Sequence, residues 1–191
     1  MDWNVSTAPA TEPVTLAEAK THMHEDLDVT ANNSLITSLI EVAREWCEGF
    51  QNRAYIEQII TAKMDTFSDT IVLPKPPLTS VTTVKYYDSD GVQQTLAASY
   101  YDVDTTSEPG LITLAYDYSW PTIRSVHHCV EIIYKAGYGD ATTDVPESVK
   151  AAMKLLIAHL YEHREMVSEL ALKEVPIAVK SLLSIDRIVP V

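Results

Sequence analysis

SVTTVKYYDSDGVQQTL, residues 80 to 96, sets two runs of strand-forming residues on either side of Asp90-Gly91. Glycine enters positive φ without the steric penalty that a Cβ imposes, so Asp-Gly here predicts a tight hairpin turn. The surrounding chain has the same character. From residue 54 to residue 135, β-branched and aromatic residues alternate with polar ones, and Pro, Gly and Asp interrupt at short intervals. YIEQIITAKM places Ile56, Ile60 and Met64 on one face at period two. HHCVEIIYK alternates Val130, Ile132 and Tyr134 against Glu131 and Lys135, as a strand with one buried face does. Glu108-Pro109-Gly110 marks a second turn, before LITLAY. The region predicts an antiparallel sheet.

Helical patterns frame it on both sides. TLAE, Thr15 to Glu18, has the capping-box arrangement, which predicts a short helix running to about His24. From Asn33, apolar residues at Leu35, Ile36, Leu39, Ile40, Ala43, Trp46, Cys47 and Phe50 form a stripe at three-and-four spacing, with Gly49 as the stop signal. After the AGYGD loop, Pro146 opens a long helix. Val149, Met153, Leu156, Leu160 and Val167 share its apolar arc, and Lys150, Lys154, Ala158 and Glu162 lie opposite. His163 falls within that arc and His159 at its edge. A last helix, PIAVKSLLSIDR, presents Val179, Leu182 and Leu183, and the apolar tail IVPV is expected to dock. The predicted fold is α+β: a mainly helical body of about four helices with an antiparallel β insertion between the second and third. Residues 1–12, rich in Ser, Thr, Ala and Pro, read as a flexible arm. Residues 13–191 read as one domain, with the β insertion at 54–135 and the C-terminal helices at 145–187.

Composition narrows the function. Hydrophobic residues make up 46% of the 191 and charged residues 21%, a globular balance. The N-terminus lacks the basic and apolar regions of a signal peptide, and no apolar run reaches the roughly 18 residues of a membrane span, so synthesis in the cytosol is expected. A formal net charge of −13 opposes tight nonspecific binding to phosphate backbones. Cys47 and Cys129 are far apart and form no CxxC, which predicts reduced, buried thiols.

One stretch raises the possibility of an enzyme. HLYEHRE, residues 159 to 165, puts His159 and His163 one helical turn apart, a spacing that can chelate zinc. The order differs from HExxH, because no general-base glutamate follows the first histidine and no third ligand stands downstream. Packed, hydrogen-bonded histidines are the expectation, with Glu162 and Arg164 to Glu169 in surface ion pairs. His127 and His128, read as strand neighbours, would point to opposite faces and not share an ion. AGYGD lacks both the P-loop Lys-Ser/Thr and GxGxxG, and nothing in the spacing pairs Asp102, Asp104 or Asp117. No catalytic residue, metal or cofactor is assigned. The tyrosines exceed what a small sheet must bury, and tyrosine is favoured at interfaces.

Four stretches in order, PVTLAEAKTHM, LPKPPLTSVTTVKYYDSDG, VEIIYKAGYGD with VPESVKAAMKLLIAHLYEHRE, and VPIAVKSLLSIDRI, resemble the head-tail connector proteins of tailed double-stranded DNA bacteriophages. These are also called adaptor or head-completion proteins and are linked to DNA packaging. The resemblance runs from Pro13 to Arg187. It implies a non-catalytic virion protein at the head-tail interface, assembled in the host cytoplasm as a homo-oligomeric ring of about a dozen subunits below the portal. Such a ring extends the DNA channel and docks the next head-completion or tail protein, while DNA passes without specific binding. A tail-completion protein on the tail tube is the neighbouring possibility, and a metal-dependent hydrolase through His159 and His163 the remote one. A closed ring needs two complementary patches. The expected contact residues are Tyr86, Tyr100 and Trp120 on the sheet, with the second patch on the long helix. Leu182, Leu183, Ile188, Val189 and Val191 at the C-terminal end are expected to meet a neighbour or the portal.

Overall fold

Strand β8 (Val130–Ala136) shows why the middle of the chain is a sheet. Its burial alternates strictly: Val130, Ile132, Tyr134 and Ala136 face the core, and Glu131, Ile133 and Lys135 are half-buried. In the computed structural model, which describes residues 1–163 and 175–189, β8 lies at the centre of a five-stranded sheet. The others are β1 (Asp2–Thr7), β2 (Gln58–Met64), β4 (Leu78–Tyr87) and β5 (Gln93–Leu96), in the order β1-β2-β8-β4-β5. All neighbouring strands are antiparallel. A second sheet has the order β3 (Thr70–Val72), β7 (Leu111–Leu114), β6 (Tyr101–Asp104), also antiparallel. With them the expected α+β class is observed, although the β region forms two sheets rather than one.

The hairpin at Asp90-Gly91 joins β4 to β5, with Tyr87 opposite Gln93 and Val84 opposite Leu96. Gly91 sits at φ +81, and its N–H donates to Asp88 O at 3.0 Å. The Asp88 carboxylate holds the tip: Oδ1 accepts from the N–H groups of Asp90 (3.1 Å) and Val92 (2.9 Å), and Oδ2 from the Gln94 amide (2.8 Å).

Residues 1–12 differ from the flexible arm expected. Asp2–Thr7 is the edge strand of the large sheet, paired with β2 from Asp2 opposite Lys63 to Thr7 opposite Ile59. Ser6 Oγ donates to Ile59 O at 3.1 Å. All six residues of β1 are exposed, so no buried face imprints a pattern on them. Their order comes from backbone pairing with a distant strand.

Among the described residues four helices follow the predicted order: α1 (Leu16–His22), α2 (Asn33–Gln51), α3 (Glu147–Glu162) and α4 (Ile177–Ser184). The capping box of α1 is present, with Thr15 N donating to Glu18 Oε2 (2.8 Å) and Glu18 N to Thr15 Oγ1 (3.2 Å). Ile36, Ile40, Ala43 and Cys47 of α2 are buried, as are Val149, Met153, Leu156 and Ile157 of α3 and Val179 and Leu183 of α4. These faces meet, since α3 packs on both α2 and α4. Two details depart from expectation. Helix α2 runs past Gly49 to Gln51 and ends on Asn52 in the left-handed region (φ 57), so an Asn and not the Gly supplies the turn. Lys150, placed on the polar side of α3, is buried, with its ammonium against the Glu147 carboxylate. Val167 and the Arg164–Glu169 pairing lie outside the described residues.

The chain divides into two compact units, not the one domain anticipated for 13–191. One, carrying both sheets, is Met1–Ala10 with Glu57–Tyr138; the other, carrying the helices, is Thr11–Ile56 with the described part of Gly139–Val191. The division follows the change of periodicity near residue 54, except that the first ten residues join the sheets.

Candidate assembly surfaces and side-chain clusters

Tyr86 and Trp120 meet through a residue that sequence reasoning passed over. The Phe67 ring stacks on Trp120 with centroids 4.6 Å apart and planes 3° from parallel, and Tyr86 meets Phe67 edge-on at 6.1 Å. All three are half-buried, and the Trp120 Nε1 atom is buried with no acceptor among the described residues. Tyr100 belongs to a separate pair, 4.7 Å from the exposed ring of Tyr118, with Tyr116 nearby in sequence 89% exposed. The three predicted aromatic positions therefore fall in two clusters of the sheet unit. Aromatic rings left partly in water carry large area at little conformational cost, which suits them to contacts between chains.

The C-terminal positions behave differently from one another. Leu183 is fully buried in its own unit, and its carbonyl accepts from Gln51 Nε2 at 2.8 Å, so it is a core residue and not a contact for a neighbour. Leu182 is half-buried. Ile188 is tied back to the end of α2: its N–H donates to Gln51 O (2.9 Å) and its carbonyl accepts from Asn52 Nδ2 (2.8 Å). Val189 is 69% exposed. Val191 lies outside the described residues.

A buried polar cluster fixes the C-terminal half of α2. Arg44 Nε donates to Glu12 Oε2 (2.9 Å) and Arg44 Nη1 to Glu48 Oε2 (3.3 Å), while Glu48 Oε1 accepts from Tyr55 N (2.8 Å). Burial works against the Arg44 charge, but Glu48 and Glu12 outweigh it and hold the guanidinium pKa above its ordinary value. Beside it, burial and then the Glu48 charge push the Cys47 thiol up to about 12, which leaves it unreactive at neutral pH. Cys129 is also buried, with Sγ donating to Tyr87 O at 3.3 Å.

The histidines of HLYEHRE end a helix. His163 Nδ1 donates to His159 O at 2.8 Å, the same carbonyl that accepts the His163 backbone N–H at 3.2 Å. Their rings lie 4.5 Å apart, and no Asp, Glu, Cys or third His completes a metal-sized group with them among the described residues. His127 and His128 are the opposite case. They occupy a turn, not a strand, with His128 at φ 56, and their rings stack at 3.8 Å instead of pointing apart. His128 Nε2 lies 2.8 Å from Asp2 Oδ2 and His127 Nδ1 2.8 Å from Asp65 Oδ1, which also accepts the His128 N–H at 2.8 Å. The His128 ring holds the Asp2 carboxyl below its ordinary pKa, and the His128 N–H followed by the His127 ring does so for Asp65.

Three solved structures share this fold over the whole chain. A chain in the neck of an empty GTA particle computed with C6 symmetry is 26% identical, with a TM-score of 0.82, the match covering 100% of this chain and 97% of that one. A chain in the virion of a native gene transfer agent (GTA) particle has 24% identity and a TM-score of 0.80, with the same coverage. A chain in the neck of a native GTA particle computed with C12 symmetry has 25% identity and a TM-score of 0.73, again covering 100% and 97%. No curated protein matches the chain. The sequence model for the head completion protein family matches residues 14–171. That span takes in α1 and α2, both sheets except β1, and all of α3, and the chain belongs to the head completion protein family.

Proposed function

We propose that this protein is a structural, non-catalytic component of the virion neck, a head-tail connector whose subunits close into a ring below the portal. The observation that carries the reading is the full-length likeness to a chain in a particle neck computed with C6 symmetry, joined to membership of the head completion family. A head-to-tail contact repeated about one axis produces cyclic symmetry of this kind. The ring would extend the DNA channel after packaging and dock the next head-completion or tail protein.

Two features of the chain suit that role. The Tyr86-Phe67-Trp120 group and the Tyr100-Tyr118 pair supply half-exposed aromatic surface for a subunit contact, and Val189 and the half-buried Leu182 of α4 supply apolar C-terminal side chains for a neighbour or the portal. The net charge of −13 suits a channel wall that repels DNA and lets it slide. Neutralising lumen-facing acids is then expected to slow ejection; unchanged ejection would remove the channel-wall role.

Native mass spectrometry of the protein, alone and mixed with its cognate portal, tests the connector reading. A closed ring in either sample is the expected result. A monomer that ignores portal but co-purifies with tail tube would replace the connector reading with a tail-completion one, and a monomer that binds neither would overturn both.

A further inference from the structure

We infer that Asp2, His127 and His128 form a binding site for a divalent transition-metal ion of the zinc class. Each residue offers one ligand atom, and the three lie within 4.8 Å of one another. With metal-ligand bonds of about 2.0–2.1 Å in tetrahedral geometry, such atoms settle about 3.3 Å apart, so the group needs only side-chain adjustment to close on an ion. The 2.8 Å contact between His128 Nε2 and Asp2 Oδ2 would open slightly as the ion replaces the shared hydrogen.

The surroundings fit this chemistry. Asp65 Oδ1 pairs with His127 Nδ1, so His127 has Nε2 to offer the ion, and an outer carboxylate bonded to the far nitrogen of a liganding His fixes its ring and raises its basicity. The same Asp65 oxygen accepts the His128 N–H, so one carboxylate positions both rings. The His128 backbone, at φ 56, is what brings adjacent side chains to one side. Two imidazoles and one carboxylate select zinc, nickel, copper or cobalt over magnesium or calcium, which prefer all-oxygen shells. A fourth position is open to water, since Asp2 and His127 are exposed. The ion would tie the first residues of β1 to the turn preceding β8, across the β1-β2-β8 ladder. This inference stands independently of the connector reading.

The test uses the full chain without an affinity tag, stripped with chelator and titrated with Zn2+ and, separately, Co2+, by calorimetry and visible absorption, with elemental analysis after gel filtration. One ion per chain is expected, lost in His127→Gln/His128→Gln and weakened about tenfold or more in Asp65→Asn. Zn2+ is also expected to slow amide exchange in β1, a readout that a loose surface ion would not move. Asp2→Asn changes an exposed side chain, so its loss of binding is readable even if the histidine variant folds poorly. Absence of a stoichiometric ion, retention of it in Asp2→Asn and the double histidine variant, or its loss only in His159→Gln/His163→Gln would each overturn the inference.

Discussion

Phe67 lies flat on Trp120, 4.6 Å between centroids, and thereby joins a loop residue to an aromatic from the segment that follows β7. Stacked aromatic pairs contribute about 0.5–1.5 kcal/mol beyond the area they bury. Phe67→Ala and Trp120→Ala are each expected to lower stability by about 1–3 kcal/mol, less than full core truncations because both rings are half-buried. A double-mutant cycle by urea unfolding should return a coupling of about 0.5–1.5 kcal/mol. Strict additivity would mean that the stack contributes nothing of its own.

Two glycines should respond to alanine with opposite signs. A Cβ on Gly110 would fall 2.5 Å from Leu78 Cβ, too close for the strand to accept without moving, so Gly110→Ala is expected to cost about 1–3 kcal/mol. Gly49 sits within α2 with nothing within 4 Å of its would-be Cβ, and Gly49→Ala should stabilise by about 0.5–1 kcal/mol. Thermal melts of the two variants side by side read both signs.

Arg44→Ala should be the most damaging of the polar changes in the helical unit, about 3–5 kcal/mol, because it strands the buried Glu48 carboxylate. Glu12→Gln should cost less than Glu48→Gln. Glu12 bonds Arg44 alone among the described contacts and is only half-buried, whereas Glu48 also accepts the Tyr55 N–H. Equal losses in chemical denaturation would contradict that ranking.

The hairpin tip should be sensitive to acid. The Gln94 side chain first, then the Val92 and Asp90 N–H groups, hold the Asp88 carboxyl below its ordinary pKa. A carboxylate lowered by folding adds stability that is fully present above its unfolded value of about 3.9 and is lost as pH falls through the lower folded one. An NMR titration should therefore show Asp88 protonating below the ordinary carboxylate range, with the Asp90 and Val92 amide shifts moving in step. Asp88→Asn should abolish that transition. If those amides titrated in the variant as well, another group would be responsible.

What could be read in advance depended on whether the cause was local. Thr15 and Glu18 make their capping box within four residues, Asp90-Gly91 needs only its own φ, and β8 is buried on one face along its length, so each leaves a mark in the sequence. Strand β1 buries no face and takes its order from β2, more than fifty residues later, so its composition resembles a tail. His127 and His128 were misplaced because alternation was extended back from Val130 through a position that takes positive φ, where the rule of opposite faces fails. Phe67 was missed for a related reason: it lies in a short loop between β2 and β3, where no periodicity singles out an aromatic. Leu183 shows the limit for apolar residues, since core and contact surfaces share one composition and only burial separated it from Val189.

The two units are interleaved along the chain, which sets an order of completion during synthesis. Residues 1–10 leave the ribosome before the helical segment that follows them, yet their unit is finished only at residue 138, and the helical unit begun at residue 11 must wait for α3 and α4. The sheet unit can mature while α3 and α4 are still unmade, but until residue 138 is added partly synthesised chains hold unpaired strand edge and uncovered helix face together. Removing residues 1–10 should therefore harm the sheets while residues 11–191 still contain the whole helical unit, and stopping at residue 138 should harm the helices while residues 1–138 still contain the whole sheet unit.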